Sequence, residues 1–305
     1  MRVAAIDCGT NSIRLLIADV TDAGLVDVAR VMRVVRLGEG VDVTGRLAPG
    51  AIERTWSAVE DYAAQIRQAG AERVRMVATS ASRDAENADE FTAGVVQRLG
   101  TPPEVISGDE EARLSFAGAV SVLEVPGRVA VVDIGGGSTE FVVGHHQVEA
   151  AVSEDVGCVR MTERHLRSDP PTAAEIAAAT ADIDAAIVHA LTATAFDSVD
   201  RIVGLAGSVT TVAALAMGLP EYDSRLIHGS RISSGQVHEV TLRMLAATRA
   251  ERAAEPVMHP GRVDVIGGGA LVLDRILHLG GFDEVIVSEH DILDGIALGL
   301  AGAEK

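Results

Sequence analysis

Lysine is almost missing from this chain of 305 residues: the only one is Lys305, and the remaining 25 basic residues are arginine. A P-loop needs its lysine beside the phosphates, and a Schiff-base enzyme needs a lysine amine in a pocket, so both classes are excluded. Phosphate recognition then falls to arginine, to backbone N–H groups or to a metal. Cysteine is nearly as scarce. Cys8 and Cys158 are far apart with no CxxC spacing, which leaves no zinc cluster or disulfide framework and makes a reducing cytoplasm the expected setting. No signal peptide is expected, because Asp7 stops the apolar run at residues 3–6. The uncharged stretch 202–220 approaches bilayer-spanning length, but Gly204, Gly207, Ser208, Gly218 and Pro220 interrupt it, so it reads as strand, loop and helix and no membrane partner is expected. An excess of positive charge is also lacking. The 44 acidic and 26 basic side chains leave a net charge of -18, a field that repels nucleic acid, so an anionic substrate must be captured locally.

What is present is the composition of a soluble globular protein, 48% apolar and 23% charged, long enough for two domains at roughly 150 residues each. Sliding the sequence against itself by 126 positions lays residues 3–12, VAAIDCGTNS, over 129–138, VAVVDIGGGS. Asp, Gly and Ser coincide, and a second apolar run follows each copy: Leu15, Leu16 and Ile17 in the first, Phe141, Val142 and Val143 in the second. Each copy reads as a buried strand ending in Asp, a tight turn of small residues and a returning strand, a hairpin whose tip offers N–H groups to a phosphate. A single Gly-rich tip means only a turn. Two copies, each with Asp ending a buried strand, suggest related lobes facing one anion across a cleft. A carboxylate beside phosphate is repulsive unless a divalent cation bridges them, which implies Mg²⁺ or a similar hard ion such as Mn²⁺.

Elsewhere strands and helices alternate. Apolar spacing predicts helices over 51–69, Ala88–Leu99, 110–120 (after a Ser-Gly-Asp start at Ser107), 172–194, 208–217, 263–279 and 292–301. Strands are expected at Arg73–Ala78, 103–106, 201–205 and Glu284–Val287, and His145 and His146 in a hairpin turn. The pattern is α/β in two similar halves, with a lobe boundary at the turn formed by Glu124, Val125, Pro126 and Gly127.

In these residues the chain resembles the Ppx/GppA family of exopolyphosphatases and guanosine pentaphosphate phosphohydrolases, within the actin, Hsp70 and sugar-kinase superfamily. The resemblance is carried by DCGTNS at 7–12, ATSASRDA at 78–85, ISGDEEARL at 106–114, VDIGGGSTE at 132–140, GCVRMTE at 157–163 and GLAGS at 204–208. It implies an α/β fold of two related actin-like (ribonuclease H-like) lobes with a cleft between them: an N-terminal lobe over 1–124, against which a C-terminal helix at about 291–305 packs back, and a C-terminal lobe over 125–305. It also implies Mg²⁺-dependent release of orthophosphate from the end of inorganic polyphosphate or, alternatively, from guanosine pentaphosphate. An ATP-binding switch and a non-catalytic phosphate sensor are further alternatives. Relatives are often dimers, so a homodimer is expected.

Phosphoryl transfer asks for a donor cradle, a metal and a group to orient water. The resemblance implies Glu111 as the catalytic glutamate, with Glu110 its rival; the plain alternative is an acidic helix start that complements the macrodipole. Adjacent Glu residues point to different helix faces, so at most one enters the site. Asp133 and Glu140 correspond to metal carboxylates, with Asp7 joining through water. Gly9, Thr10, Asn11, Ser12, Gly135, Gly136, Gly137 and Ser138 supply the cradle, and Arg83 aligns with a phosphate-binding arginine, its alternative being a surface ion pair with Asp84 or Glu86. Arg113 and Arg160 read more readily as ion pairs. Gly207 and Ser208 fall where superfamily kinases hold adenosine, and here are either structural or in contact with a distal phosphate. Longer relatives carry a further helical HD-type domain that this sequence does not continue into, so a preference for short polyphosphate is expected.

Overall fold

The computed structural model describes residues 1–123, 126–199 and 201–302; Glu124 and Val125, half of the expected boundary turn, lie outside the described residues, as does Lys305. The chain divides into two compact units, Met1–Gly118 together with Ile292–Lys305, and Ala119–Asp291.

The duplication read from the sequence is a duplication of sheet topology. In the first unit β1 (Arg2–Cys8), β2 (Ser12–Thr21), β3 (Gly24–Val34), β4 (Arg73–Ala78) and β5 (Glu104–Val105) lie in the order β3-β2-β1-β4-β5. In the second unit β6 (Val129–Ile134), β7 (Thr139–Gly144), β8 (Val148–Glu154), β9 (Ile202–Leu205), β10 (Arg231–Ser233) and β11 (Glu284–Val287) lie in the order β10-β11-β9-β6-β7-β8. Each sheet is an antiparallel three-strand meander whose first strand pairs in parallel with the strand that follows a helical crossover, β1 with β4 and β6 with β9. This is the actin-like pattern that the resemblance implied. The central strands β1 and β6 are buried almost end to end, which explains their unbroken apolar runs.

Local sequence fixes most helix ends. The helix Pro49–Ala69 starts with Pro at its first position and stops at Gly70 in the left-handed region (φ 67°); Ala88–Leu99 stops at Gly100 in the same way (φ 87°). The Ala-rich helix Ala173–Thr194 is opened by a reciprocal capping box between Thr172 and Glu175. Its inward stripe, Ala179, Ile183, Ile187 and Ala190, joins Val132, Phe141, Met161 and Phe196 in the core of the second unit. Phe196 meets Phe141 and Phe282 edge-on at 5.4 and 5.6 Å.

Several elements have no counterpart in the sequence reading. The edge strands β3 and β8 are only partly buried and lack a clean alternation. The helix Ser234–Ala246 is opened by a capping box, Ser233 with Gln236, and buries Val237, Val240, Met244 and Leu245 at helical spacing. Two expected starts also move. The helix assigned to begin at Ser208 begins at Ala206, so Gly207 lies within its first turn, and the one assigned to begin at residue 263 begins at Ile266, after a short 3-10 turn at Pro260–Arg262.

The C-terminal helix Ile292–Gly302 buries Ile292, Leu293, Ile296 and Ala297 against Val3, Ala5, Leu16 and Val77 of the first unit. Arg30 on β3 clasps Asp294 of this helix at 2.7 Å. Gly295 makes the close approach possible, since a Cβ there would stand 2.0 Å from the carbonyl oxygen of Leu114. Gly157 plays a similar part in the second unit: a Cβ on it would lie 2.3 Å from the carbonyl oxygen of Gly136.

Gly295→Ala is expected to cost about 1–3 kcal/mol through overpacking against backbone, seen as a lower thermal midpoint. Gly157→Ala is expected to displace the Gly135–Gly137 loop and lower the midpoint by a similar amount, with the loop shift visible by crystallography.

Candidate active site

The two hairpin tips are built alike. Gly9 N–H donates to the Ser12 carbonyl at 3.0 Å, and Gly135 N–H donates to the Ser138 carbonyl at 3.0 Å. In the second tip the glycine carbonyls are taken up by the start of the helix Cys158–Arg164. Cys158 N–H donates to Gly135, Val159 and Arg160 N–H to Gly136, and Gly157 N–H to Gly137. Arg160 also donates from Nε to the Gly137 carbonyl at 2.7 Å, so it braces the loop. With the carbonyls turned toward that helix, the amides of Gly136 and Gly137 have no protein acceptor among the described residues, the arrangement of an anion-binding nest.

In the first tip Thr10 is buried and its hydroxyl has no hydrogen-bond partner; the same holds for Ser82 in the helix Ser80–Asp84. Gly38 links these segments. Its N–H donates to the Thr10 carbonyl, and a Cβ on it would meet the Thr10 side chain at 2.2 Å and the Ala81 side chain at 3.2 Å. Buried hydroxyls without partners are costly, and a bound anion or water would satisfy them. Asn11 turns its carbonyl inward to the N–H groups of Val35 and Arg36, so its backbone oxygen is committed to the loop itself.

The ladder position after each tip carries the main electrostatic difference between the units. Asp7 on β1 stands opposite Arg14 on β2, and Asp133 on β6 stands opposite Glu140 on β7. Arg14 donates to one Asp7 carboxylate oxygen from both Nε (3.0 Å) and Nη2 (2.7 Å). Asp7 therefore has a guanidinium for counter-charge. At the repeat-related place two buried carboxylates face each other, and Ser153 on β8 donates from Oγ to Glu140 Oε1 at 2.7 Å. Like charges opposite one another across strands are unfavourable, and hard carboxylate and hydroxyl oxygens suit a divalent cation such as Mg²⁺. Among the described residues no group of three or more His, Cys, Asp or Glu is placed to enclose a metal. A two-carboxylate set matches an ion that keeps much of its water.

The two adjacent glutamates separate cleanly. Both lie in the first turn of the helix Gly108–Val120, where Ser107 receives the N–H of Glu110 on its hydroxyl and the N–H of Glu111 on its carbonyl. Glu110 is half-buried and receives a 2.6 Å hydrogen bond from Arg75, which also holds Glu104. Glu111 is buried, and Arg83 donates to it from Nη1 at 3.2 Å. Arg83 pairs with Glu111 rather than with Asp84 or Glu86. Arg113 makes the expected surface pair with Asp109 four residues before it.

Gly207 and Ser208 are enclosed by packing. The Arg262 guanidinium lies over Gly207, where a Cβ would meet it at 2.1 Å, and Arg262 donates to Thr211 Oγ1 at 2.9 Å. Ser208 presses on Gly269, where a Cβ would stand 2.2 Å from its hydroxyl oxygen. Both cysteines are buried free thiols. Burial, with the Asp7 carboxylate nearby, pushes the Cys8 thiol up, and burial raises Cys158, so both stay protonated.

Arg14, Ser153 and Arg262 escaped the sequence reading. Arg14 was within its reach, because the 126-residue shift that aligns the tips also lays Arg14 over Glu140. Ser153 and Arg262 meet their partners only through the fold.

The profile of the Ppx/GppA phosphatase family matches residues 16–304. The chain is 53% identical to exopolyphosphatase 2 of Mycobacterium tuberculosis, with 99% of each sequence covered. A crystallised exopolyphosphatase-like protein is 46% identical, with a TM-score of 0.96 over 98% of this chain and 97% of its own. The Aquifex aeolicus member of the Ppx/GppA family is 33% identical, with a TM-score of 0.84 over 100% and 99% of the two chains. By sequence along nearly its full length, and by fold, the chain belongs to the Ppx/GppA phosphatase family.

Proposed function

We propose that this protein is an exopolyphosphatase, hydrolysing the terminal phosphoanhydride of inorganic polyphosphate and releasing orthophosphate. The observation that carries the reading is the buried Glu111 carboxylate at a helix start, held by Arg83 and set apart from the half-buried Glu110, which Arg75 holds. The Mycobacterium tuberculosis relative, named exopolyphosphatase 2, supports the substrate class.

In this reading Glu111 orients the attacking water and takes its proton on a carboxylate oxygen as the water oxygen bonds to the terminal phosphorus. The anhydride bond to the rest of the chain breaks and orthophosphate leaves. In the first unit Thr10 and the guanidinium of Arg83, and in the second unit the N–H groups of Gly136 and Gly137, are donors of the kind phosphate oxygens take, in a chain with no lysine to do so except Lys305. Gly9, Asn11, Ser12, Gly135 and Ser138 keep the two tips in shape. Asp133 and Glu140, with the Ser153 hydroxyl on Glu140, would hold Mg²⁺, while Asp7 is paired with Arg14. When bound, the ion would neutralise charge on the phosphate oxygens. The net charge of -18 opposes long polyanions and supports short-chain substrates. Two buried free thiols support a reducing, cytoplasmic setting.

The wild-type protein is expected to release orthophosphate from short polyphosphate with Mg²⁺, faster than from long polyphosphate at equal chain-end concentration and faster than from guanosine pentaphosphate. Absence of release from any of them defeats the reading. Glu111→Gln should lower kcat by about 10²–10⁴-fold with KM little changed, whereas Glu110→Gln should leave both near wild type. Glu140→Gln should raise the Mg²⁺ concentration needed for half-maximal rate, a shift checked by titrating the ion at saturating substrate.

A further inference from the structure

A guanidinium carries five N–H donors on two usable edges, so its contacts can be counted. In Arg83 both contacts leave from a single nitrogen: Nη1 donates to the Ile106 carbonyl at 3.0 Å and to Glu111 Oε2 at 3.2 Å. That uses the two hydrogens of Nη1. The three donors on Nε and Nη2 have no protein acceptor among the described residues, and the side chain keeps 26% of its surface exposed. The Nε–Nη2 edge therefore keeps both of its parallel N–H groups, the geometry matched to a phosphate or carboxylate. Just before it in the chain, the buried Ser82 hydroxyl lacks a partner as well.

We propose that Arg83 is the positioning residue of Glu111: one corner of its guanidinium fixes the glutamate carboxylate while the opposite edge receives the terminal phosphate, so that base and substrate are registered on one rigid plane. This rests on the phosphohydrolase reading above. The role differs from a simple phosphate contact, which would use the same edge and leave Glu111 indifferent. It differs also from a latch, in which phosphate would have to pull Arg83 away from Glu111, because the two partners occupy separate nitrogens. The Ile106 carbonyl is the anchor that keeps the plane from turning. A misplacement of about 1 Å between base and substrate is enough to cost about 10²-fold in rate, so a shared plate is worth having at this position.

Steady-state kinetics on short polyphosphate with wild type, Arg83→Lys, Glu111→Gln and the double variant test the proposal. Lysine keeps the charge but gathers its donors on one nitrogen and cannot serve both partners. Arg83→Lys is expected to raise KM several-fold and to lower kcat by about 10–100-fold, with an unchanged unfolding midpoint. In the Glu111→Gln background the same change should raise KM equally but leave the residual kcat within about twofold, because there is no base left to position. A rise in KM alone in the wild-type background, or an equal loss of kcat in both backgrounds, overturns it. A crystal structure of wild type with orthophosphate supplies a second readout. Phosphate on Nε and Nη2 with the Nη1–Glu111 contact kept is the expected result, and phosphate on Nη1 with Glu111 released is the contrary one. Wild type without phosphatase activity would bring down the functional reading itself, whereas an active wild type with an unaltered Arg83→Lys kcat brings down only the positioning role.

Discussion

Taking a carboxylate out of water demands a compensating charge or donor, and this constraint shapes every part of the candidate site. Asp7, Glu111, Asp133 and Glu140 are all buried in a chain that carries a net charge of -18. Asp7 is answered by Arg14 and Glu111 by Arg83, each within its own unit. Asp133 and Glu140 instead face each other, with the Ser153 hydroxyl on Glu140. The duplicated hairpin has thus been put to two uses. One copy sets an arginine opposite its aspartate and the other sets a glutamate there, and hard carboxylate oxygens suit a divalent cation.

The near-absence of lysine sharpens the same point. A flexible ammonium would neutralise a carboxylate from many directions, whereas a guanidinium does so along fixed edges. Arg14 spends Nε and Nη2 on a single Asp7 oxygen, and Arg160 spends Nε on the Gly137 carbonyl. Arg83 spends only Nη1 on the protein. Arg160 is therefore a brace for the second tip, whereas Arg83 keeps an edge able to hold something else.

Much of the fold was legible in the residues. The strand Arg73–Ala78, the helix Ala88–Leu99 and the strand Glu284–Val287 stand where periodicity and their flanking turns put them. The 126-residue repeat anticipated two sheets of the same winding. The misses share a cause. β3 and β8 are edge strands with one side open, so they carry no strong apolar period. The glycines 267–269 lie inside a helix, as the expected span 263–279 has it, and Gly268 and Gly269 let Cys158, Thr162 and Ser208 come close enough to pack.

The sequence by itself determined the α/β alternation, the duplication, the family and the identities of the acidic and small residues at the two tips, since these depend on local periodicity, turn chemistry and motif. Only the tertiary structure decided which partner each carboxylate meets. Glu110 and Glu111 are neighbours in sequence, and on a helix they diverge by about 100°, so one reaches Arg75 and the surface while the other reaches Arg83 and the interior. Arg83 and Glu111 are 28 residues apart, and Glu140 and Ser153 are 13 apart. Those encounters are set by strand register and helix docking, and no spacing along the chain encodes them.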